Sequence, residues 1–423
     1  MKIIMHGAAR EVGRSCIELQ SKQGSRFLLD CGLKLTELGT EYPVGLDQVS
    51  SLRAVFLSHA HLDHTGALPL FDHQGMRCPI IATPTTKALT RLLLEDALKI
   101  GRLQHAQLGY EQLDIDKALA CMSNVQFNES GTIDGVPYQY FDAGHIPGSS
   151  SIVLALEKKR LLYTGDYNPQ ETLLMHGGSQ DFDDVDIMIT ESTYGDRNHL
   201  PRAATERRFL QRVEDTLALG GKVLVPSFAV GRAQEMLLLL ARKDWGVPIY
   251  IDGMALEATQ LLLEHSDSLK EADKLREALR KVHQIRRGER RKILSKQSIV
   301  ITTSGMLTGG PILEYIKHAH SDVNSAILLT GYQAEHTNGR LLIDKHHVYI
   351  DGWKTAVKCA IEQFDFSAHA GAGELKSVIR KISPHTLVVQ HGDPAAVEHM
   401  RLWAAALGFD VRTPSLNEVV LID

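Results

Sequence analysis

The sequence predicts an α/β protein in three stretches. Short apolar segments broken by Gly, Ser and Lys dominate up to about residue 200. Helical and strand-like patterns then alternate from about Arg202. A further mixed segment follows from about Trp353.

Taken in order, IELQ, RFLLDCG and AVFLSHAH suit strands, being short and apolar with breaking residues at their ends. TKALTRLLLEDALKIG places leucines at i, i+3 and i+4 and predicts a helix. YQYFDAGH, SIVLALE, RLLYTGD and IMITEST return to the strand pattern. Beyond Arg202, the predicted helices are ATERRFLQRVEDTLALGG, GRAQEMLLLLARK, MALEATQLLLE and SLKEADKLREALRKV. VLVPSF, IYIDG, IVITTSG and AILLTGY lie between or after them as buried-type strands. Such alternation predicts a parallel sheet with crossover helices. The last stretch reads as strand, helix and strand in HTLVVQHGD, PAAVEHMRLWAAALG and EVVLI.

The chain has 423 residues, is 43% hydrophobic and 23% charged, and carries a formal net charge of −5. That is an ordinary globular composition with ample chain for a large core. It excludes collagen-like, disordered and disulfide-scaffold classes. The five cysteines are scattered and never form a C-x-x-C pair, which predicts a reducing, cytoplasmic setting and argues against a cysteine zinc knuckle. No window approaches 18 uninterrupted apolar residues, so no membrane span is expected. The opening MKIIMHGAAREVG lacks the apolar core of a secretory signal. Mild acidity argues against bulk electrostatic binding of nucleic acid but allows a basic groove on one face.

The strongest chemical signal is His59-Ala60-His61-Leu62-Asp63-His64, in the loop leaving the apolar run AVFLS. Imidazole and carboxylate are good zinc ligands, and a solvated turn has no need of three His and an Asp in six residues. Two metals need further ligands. His145 in DAGHIPGSSS, Asp166 in LLYTGDYN and His391 in LVVQHGD each close or follow a β-type run, where a side chain can project over a sheet end.

H-x-H-x-D-H followed by separated His, Asp and His resembles the metallo-β-lactamase fold. That resemblance implies an αββα sandwich holding two zinc ions, with manganese as the alternative in a carboxylate-containing site. It implies His59, His61 and His145 on one metal, Asp63, His64 and His391 on the other, and Asp166 bridging. Asp30, in FLLDCG, matches the first acidic motif and is expected to orient a metal-bound imidazole. A metal pair of this kind makes a hydrolase without defining its substrate.

The segments between and beyond these motifs narrow the substrate. Glu191-Ser192-Thr193-Tyr194-Gly195, Phe366-Ser367-Ala368-His369-Ala370 and VVQHGD resemble motifs A, B and C of the β-CASP nucleases. PSFAVGRAQE (226–235), TSGM (303–306), GYQAE (331–335) and the opening GAAREVGRSC resemble further segments of the same family, so the likeness spans essentially the whole chain. It implies a metallo-β-lactamase domain in residues 1–200 and 353–423 with an α/β β-CASP domain inserted at 201–352. His391 at motif C resembles the RNA-processing branch, and ESTYG and FAVGRAQE look closer to the pre-mRNA 3′-end cleavage endonuclease than to RNase J.

The implied activity is hydrolysis of RNA by metal-activated hydroxide, leaving 5′-phosphates. Asp63, Glu191 and His369 are the expected catalytic residues, with His369 as general acid held by Glu191. The expected partner is single-stranded RNA, gripped in a cleft between domains. Ser227, Arg232, Ser304, Gly305, Ser367 and His369 are the candidate RNA or phosphate contacts. Arg232 opens a predicted helix, where N–H groups attract phosphate. The resemblance also admits a homodimer, since relatives of this kind often dimerise. The basic run at 280–292, RKVHQIRRGERRK, reads more readily as a solvated helix face than as an RNA tether, and His336 as a turn residue. Endonuclease and 5′-to-3′ exonuclease share this chemistry and stay open. A DNA nuclease and a small-molecule metallo-hydrolase are the remoter alternatives, and the latter would not need Glu191, His369 or the insertion.

Overall fold

A computed structural model describes residues 1–36, 39–49, 51–103, 108–285 and 288–422. The chain divides into two compact units. The first comprises residues 1–171, 177–198 and 369–423, and the second residues 172–176 and 199–368.

The first unit is built on two seven-stranded sheets. One runs, edge to edge, through Val419–Leu421, Lys2–Met5, Ile17–Gln20, Arg26–Leu29, Leu52–Phe56, Ile80–Ala82 and Met122–Asn124. The other runs through Asp410–Arg412, Thr386–Val389, Ile187–Thr190, Lys159–Tyr163, Ser150–Leu156, Val136–Asp142 and Ser130–Ile133. Alternate residues on a strand face opposite sides, so each sheet has one face for the other sheet and one for helices. Ile3, Ile17, Phe27 and Phe56 of the first sheet share an apolar layer with Tyr140, Ile152, Leu154, Tyr163, Ile189 and Val388 of the second. On the outer face of the first sheet, Val55 and Ile80 pack with Leu94, Leu98 and Ile115 of the helices Pro84–Leu103 and Gln112–Ala120. On the outer face of the second, Leu162, Met188 and Leu387 pack with Leu375, Ile379, Val397 and Met400 of Ala372–Ile382 and Pro394–Ala406. The layers are therefore helix, sheet, sheet, helix: the αββα sandwich of the metallo-β-lactamase fold.

The second unit carries a six-stranded sheet in the order His283–Gln284, Ile249–Asp252, Ile299–Thr302, Val223–Pro226, Ala326–Leu329, Ala360–Gln363. Every pairing in it is parallel. VLVP, IVIT and AILL are buried at every position, as strands covered on both faces must be. Ala360–Gln363 pairs with Ala326–Leu329, so this unit extends to residue 368 and the chain returns to the first unit at His369. The boundary at 352/353 expected from the mixed rhythm of the last stretch thus falls inside a sheet-forming segment of the second unit. No helix among the described residues is long and apolar enough to cross a membrane.

Candidate metal centre

Loops at the ends of five strands of the first unit supply the clustered side chains. His59 leaves the strand Leu52–Phe56, His61 caps the one-turn helix Leu62–Thr65, and Asp63 and His64 sit in that turn. His145 follows Val136–Asp142, in a turn where Ser149 Oγ accepts the N–H groups of His145 and Ile146 at 3.1 and 3.2 Å. Asp166 follows Lys159–Tyr163, Glu191 follows Ile187–Thr190, and His391 follows Thr386–Val389. His369 joins them from the stretch ahead of the helix Ala372–Ile382. All nine residues belong to the first unit.

Two ligand-sized groups result, and they share Asp166. In one, His61 Nδ1 lies 3.1 Å from His59 Nε2 and 3.2 Å from His145 Nε2. Asp166 Oδ2 lies 3.6 Å from both of those Nε2 atoms. In the other, Asp166 Oδ2 is 3.4 Å from His64 Nε2, while Asp63 Oδ2 is 3.8 Å from His64 Nε2 and 3.5 Å from His391 Nε2. Ligands held ~2.0–2.1 Å from a tetrahedral ion stand about 3.3 Å apart, so the first set in particular has zinc-like spacing. His64 Nε2 and Asp166 Oδ1 are buried with no hydrogen-bond partner. Buried polar atoms are otherwise satisfied as a rule, so these orphans fit a bound cation. The donor set of imidazoles and carboxylates suits zinc.

The imidazoles are oriented from behind. Asp30, fully buried, accepts Ser58 N–H on Oδ1 at 2.7 Å. Its Oδ2 accepts Ser58 Oγ–H at 2.6 Å, Tyr163 O–H at 2.6 Å and His64 Nδ1–H at 2.7 Å. With its hydrogen given to Asp30, Ser58 Oγ is left to accept from His59 Nδ1 at 3.0 Å. His59 and His64 thus turn their Nε2 atoms to the cluster, because the second ring nitrogen of each is already engaged. Burial opposes protonation of His64, but Asp166, Asp63 and Asp30 outweigh it and raise its pKa in the metal-free protein.

Glu191 and His369 form a separate pair beside Asp166. Both carboxylate oxygens of Glu191 lie 3.0 Å from His369 Nδ1, and Glu191 also accepts the Tyr167 N–H at 2.6 Å. His369 Nε2 is 3.9 Å from Asp166 Oδ2. Burial works against a charged His369, but Glu191 and Asp166 outweigh it and raise its pKa to about 9.

The structure brings together all seven residues expected as ligands, with Asp30, Glu191 and His369. The expected RNA contacts other than His369 lie in the second unit. Ser227 and Gly305 meet at the ends of Val223–Pro226 and Ile299–Thr302, where a Cβ on Gly305 would stand 2.9 Å from Phe228 N. Ser304 Oγ accepts Thr308 N–H at 3.1 Å, and Ser367 N–H donates to Asp365 at 3.1 Å. Arg232 opens the helix Arg232–Leu240, but its side chain is only 7% exposed and donates to Glu235 at 2.7 Å, leaving it built into the unit. Within the basic run, Arg280 and Lys281 end a helix, Arg290 turns in to Asp252 at 2.7 and 3.2 Å, and Arg286 and Arg287 lie outside the described residues. His336 takes a left-handed conformation, φ 64°, in the exposed turn before the helix Asn338–Lys345. Sequence reasoning gave no role to Ser58 and Tyr163. The position of Ser58, immediately before the ligand run, was the one available signal.

Comparison with known proteins agrees with this geometry. Residues 233–342 match the Beta-Casp domain, and residues 354–414 match the Zn-dependent metallo-hydrolase RNA specificity domain. Probable RNase MJ4 of Methanocaldococcus jannaschii is 42% identical over the whole of both chains. The chain belongs to the β-CASP family of metallo-hydrolase RNA nucleases. Ribonuclease TTHA0252 of Thermus thermophilus is 35% identical, with 99% of this chain and all of that protein covered. RNase aCSPSF2 of Saccharolobus solfataricus is 33% identical over 98% of this chain and 84% of its own length. This β-CASP protein is thus a metal-dependent hydrolase whose relatives are ribonucleases. Residues 2–218 also match the Anti-Pycsar protein Apyc1, a span that ends before His369 and His391. A crystal structure of a protein of unknown function from Enterococcus faecalis V583 shares the fold, with a TM-score of 0.59 at 14% identity, covering 100% of this chain and 99% of that one.

Proposed function

We propose that this chain is a two-zinc ribonuclease that cuts single-stranded RNA internally, leaving a 5′-phosphate and a 3′-hydroxyl. The observation that carries the reading is Asp166 Oδ2, which stands within ligand spacing of both imidazole sets. His59, His61 and His145 would hold one ion, Asp63, His64 and His391 the other, and Asp166 both. Such a metal pair supplies a water-derived nucleophile at neutral pH and a counter-charge for the phosphoryl oxygens.

The remaining chemistry belongs to the chain. The nucleophile's oxygen bonds to phosphorus as the bond to the 3′-oxygen breaks, and that oxygen needs a proton. His369 Nε2 can give it, because Glu191 fixes the Nδ1 side of the ring and Nε2 is the atom nearer Asp166. Glu191, fully buried, then offsets the charge on the ring before the proton moves. Ser227, Ser304 and Gly305 remain the proposed backbone contacts to RNA, with Arg232, Ser367 and His369 as proposed phosphate contacts.

The test uses metal-quantified protein and two RNAs of one sequence, a linear 5′-monophosphate and a covalent circle. An Asp63→Ala/His64→Ala double variant is the control. Cutting of the circle by the wild type alone supports the proposal. Loss of only the linear RNA to mononucleotides replaces it with a 5′-exonuclease. Two bound metals and no cutting of either RNA overturn it in favour of another substrate.

A further inference from the structure

Two loops far apart in sequence are fastened together behind the metal centre. They follow Ile187–Thr190 and Thr386–Val389, which are neighbouring parallel strands. Gln390 N–H donates to Thr190 O at 3.0 Å, and Ser192 N–H donates to His391 O at 3.0 Å. Ser192 Oγ donates to Gln390 O at 2.9 Å. A Cβ on Gly392 would meet Ser192 Oγ at 2.4 Å, so the two loops lie as close as backbones allow. Within this clasp His391 adopts φ 49°, a left-handed conformation that costs a non-glycine residue energy and must be held from outside.

Thr193 is the side chain that reaches the ring. Its Oγ1 lies 3.3 Å from His391 O and 3.3 Å from His391 Nδ1. The carbonyl can take the hydroxyl hydrogen, which leaves Thr193 Oγ1 able to accept from His391 Nδ1–H. Asp166 Oδ1 is 3.2 Å from the same nitrogen, yet it makes no hydrogen bond, so the N–H does not point at it. On the far side of the ring, Gly13 N–H points at Nε2 from 3.4 Å, which marks Nε2 as the lone-pair nitrogen. That nitrogen is the one 3.5 Å from Asp63 Oδ2. Thr193 N–H also reaches Glu191 Oε2 at 3.4 Å, through backbone that a change of side chain leaves in place.

We infer that Thr193 is a positioning residue for the metal centre: its hydroxyl fixes His391 with Nδ1 protonated and Nε2 presented to the ion shared with Asp63 and His64. This rests on the two-metal reading above. Partners standing behind a ligand typically contribute 10–100-fold to metal affinity. Thr193→Val keeps the shape and removes the oxygen, while Thr193→Ser keeps the oxygen. Zinc content and affinity are read by chelator competition on wild type and both variants, and the metal-free proteins are melted in parallel. The expected result is two tightly held zincs in wild type and Thr193→Ser. Thr193→Val should hold one tightly and the other about 10–100-fold more weakly, with an unchanged metal-free melt. Two wild-type-affinity zincs in Thr193→Val overturn the inference and leave the two-metal reading standing. So does a lowered metal-free melt that Thr193→Ser shares, since that marks a packing role. A wild type that binds no zinc removes both.

Discussion

Asp30 Oδ2 lies 2.7 Å from His64 Nδ1, and the same oxygen takes the hydroxyl hydrogens of Ser58 and Tyr163. One buried carboxylate therefore sets the direction of His64 directly and that of His59 through Ser58. These two imidazoles belong to different ligand sets, so a single side chain supports both. Asp30→Asn replaces an acceptor with a donor on one side of that arrangement. Metal affinity should fall by roughly 10–100-fold, as for other lost partners of ligating imidazoles. Chelator competition on the intact variant checks it, and wild-type affinity would refute the assignment.

His369→Ala should separate binding from chemistry. His369 is assigned to neither metal and its Nδ1 is engaged by Glu191, so both metals should stay. Cleavage should drop by about 10²–10⁴, the usual range for a lost general acid. Metal analysis and a single-turnover assay on the same preparation decide it. A variant cutting at close to the wild-type rate would show that the leaving oxygen takes its proton elsewhere.

Gly32 is required by crowding. A Cβ there would stand 1.7 Å from Asp63 O and 2.0 Å from its carbonyl carbon. The loop after Asp30 and the turn carrying Asp63 are thus in backbone contact, and Gly32→Ala must push one of them away. Poor soluble yield, or folded protein with depleted metal, is the expected outcome. Wild-type yield and metal content together would contradict it.

Asp252 anchors the second unit. Its carboxylate, buried at the end of Ile249–Asp252, takes Arg290 at 2.7 Å and Tyr315 O–H at 2.8 Å. Asp252→Ala leaves the half-buried Arg290 guanidinium with Glu314 at 3.5 Å as its remaining carboxylate and should cost about 1–3 kcal/mol. Denaturant titration measures this. Since Asp252 is not part of the first unit, the variant should keep its metals at low denaturant.

His6 predicts a pH dependence. It is buried, with Nδ1 on Val44 O at 2.8 Å and Nε2 on Glu18 at 3.0 Å, so both ring nitrogens face acceptors. Burial opposes its protonation, but Glu18 and the Val44 carbonyl help to outweigh it and raise its pKa. Its contribution to stability is complete below the ordinary value of 6.5 and is lost as pH rises through the higher folded value. Wild type should therefore lose stability relative to His6→Gln on going from pH 6 to 9. A pH-independent difference between the two proteins would contradict this. A hydrogen bond to a charged group contributes roughly 1.5–3 kcal/mol, which sets the scale.

The clustered His and Asp residues were legible in the sequence because metal chemistry admits few residue types and because strand ends place them in loops. His59 to His64 announce themselves by crowding, and His145, Asp166 and His391 by following apolar runs. Tyr163 and Thr193 were not legible, and Ser58 only by its place before the His59 run, since a hydroxyl behind an imidazole looks like any Ser, Tyr or Thr near a strand end. Arg232 shows how side-chain direction stays hidden in a sequence. A cation at a helix start suggests phosphate, yet its partner Glu235 lies one turn on and takes it inward. The end of the second unit was hidden for a third reason. Ala360–Gln363 is only half-buried, lacks the apolar character of its neighbours, and belongs to their sheet through backbone pairing.

The order of the clasped loops matters while the protein is being made. Asp166 and Glu191 precede the inserted unit, and His369 and His391 follow it. At ~5–20 residues per second, a ribosome needs roughly 10–45 s to pass from Asp166 to His391. Throughout that interval the nascent chain holds most of its ligands but neither its proposed proton donor nor the histidine that completes the second set. The set of clustered side chains in the first unit is therefore completed only after the inserted unit has been synthesised.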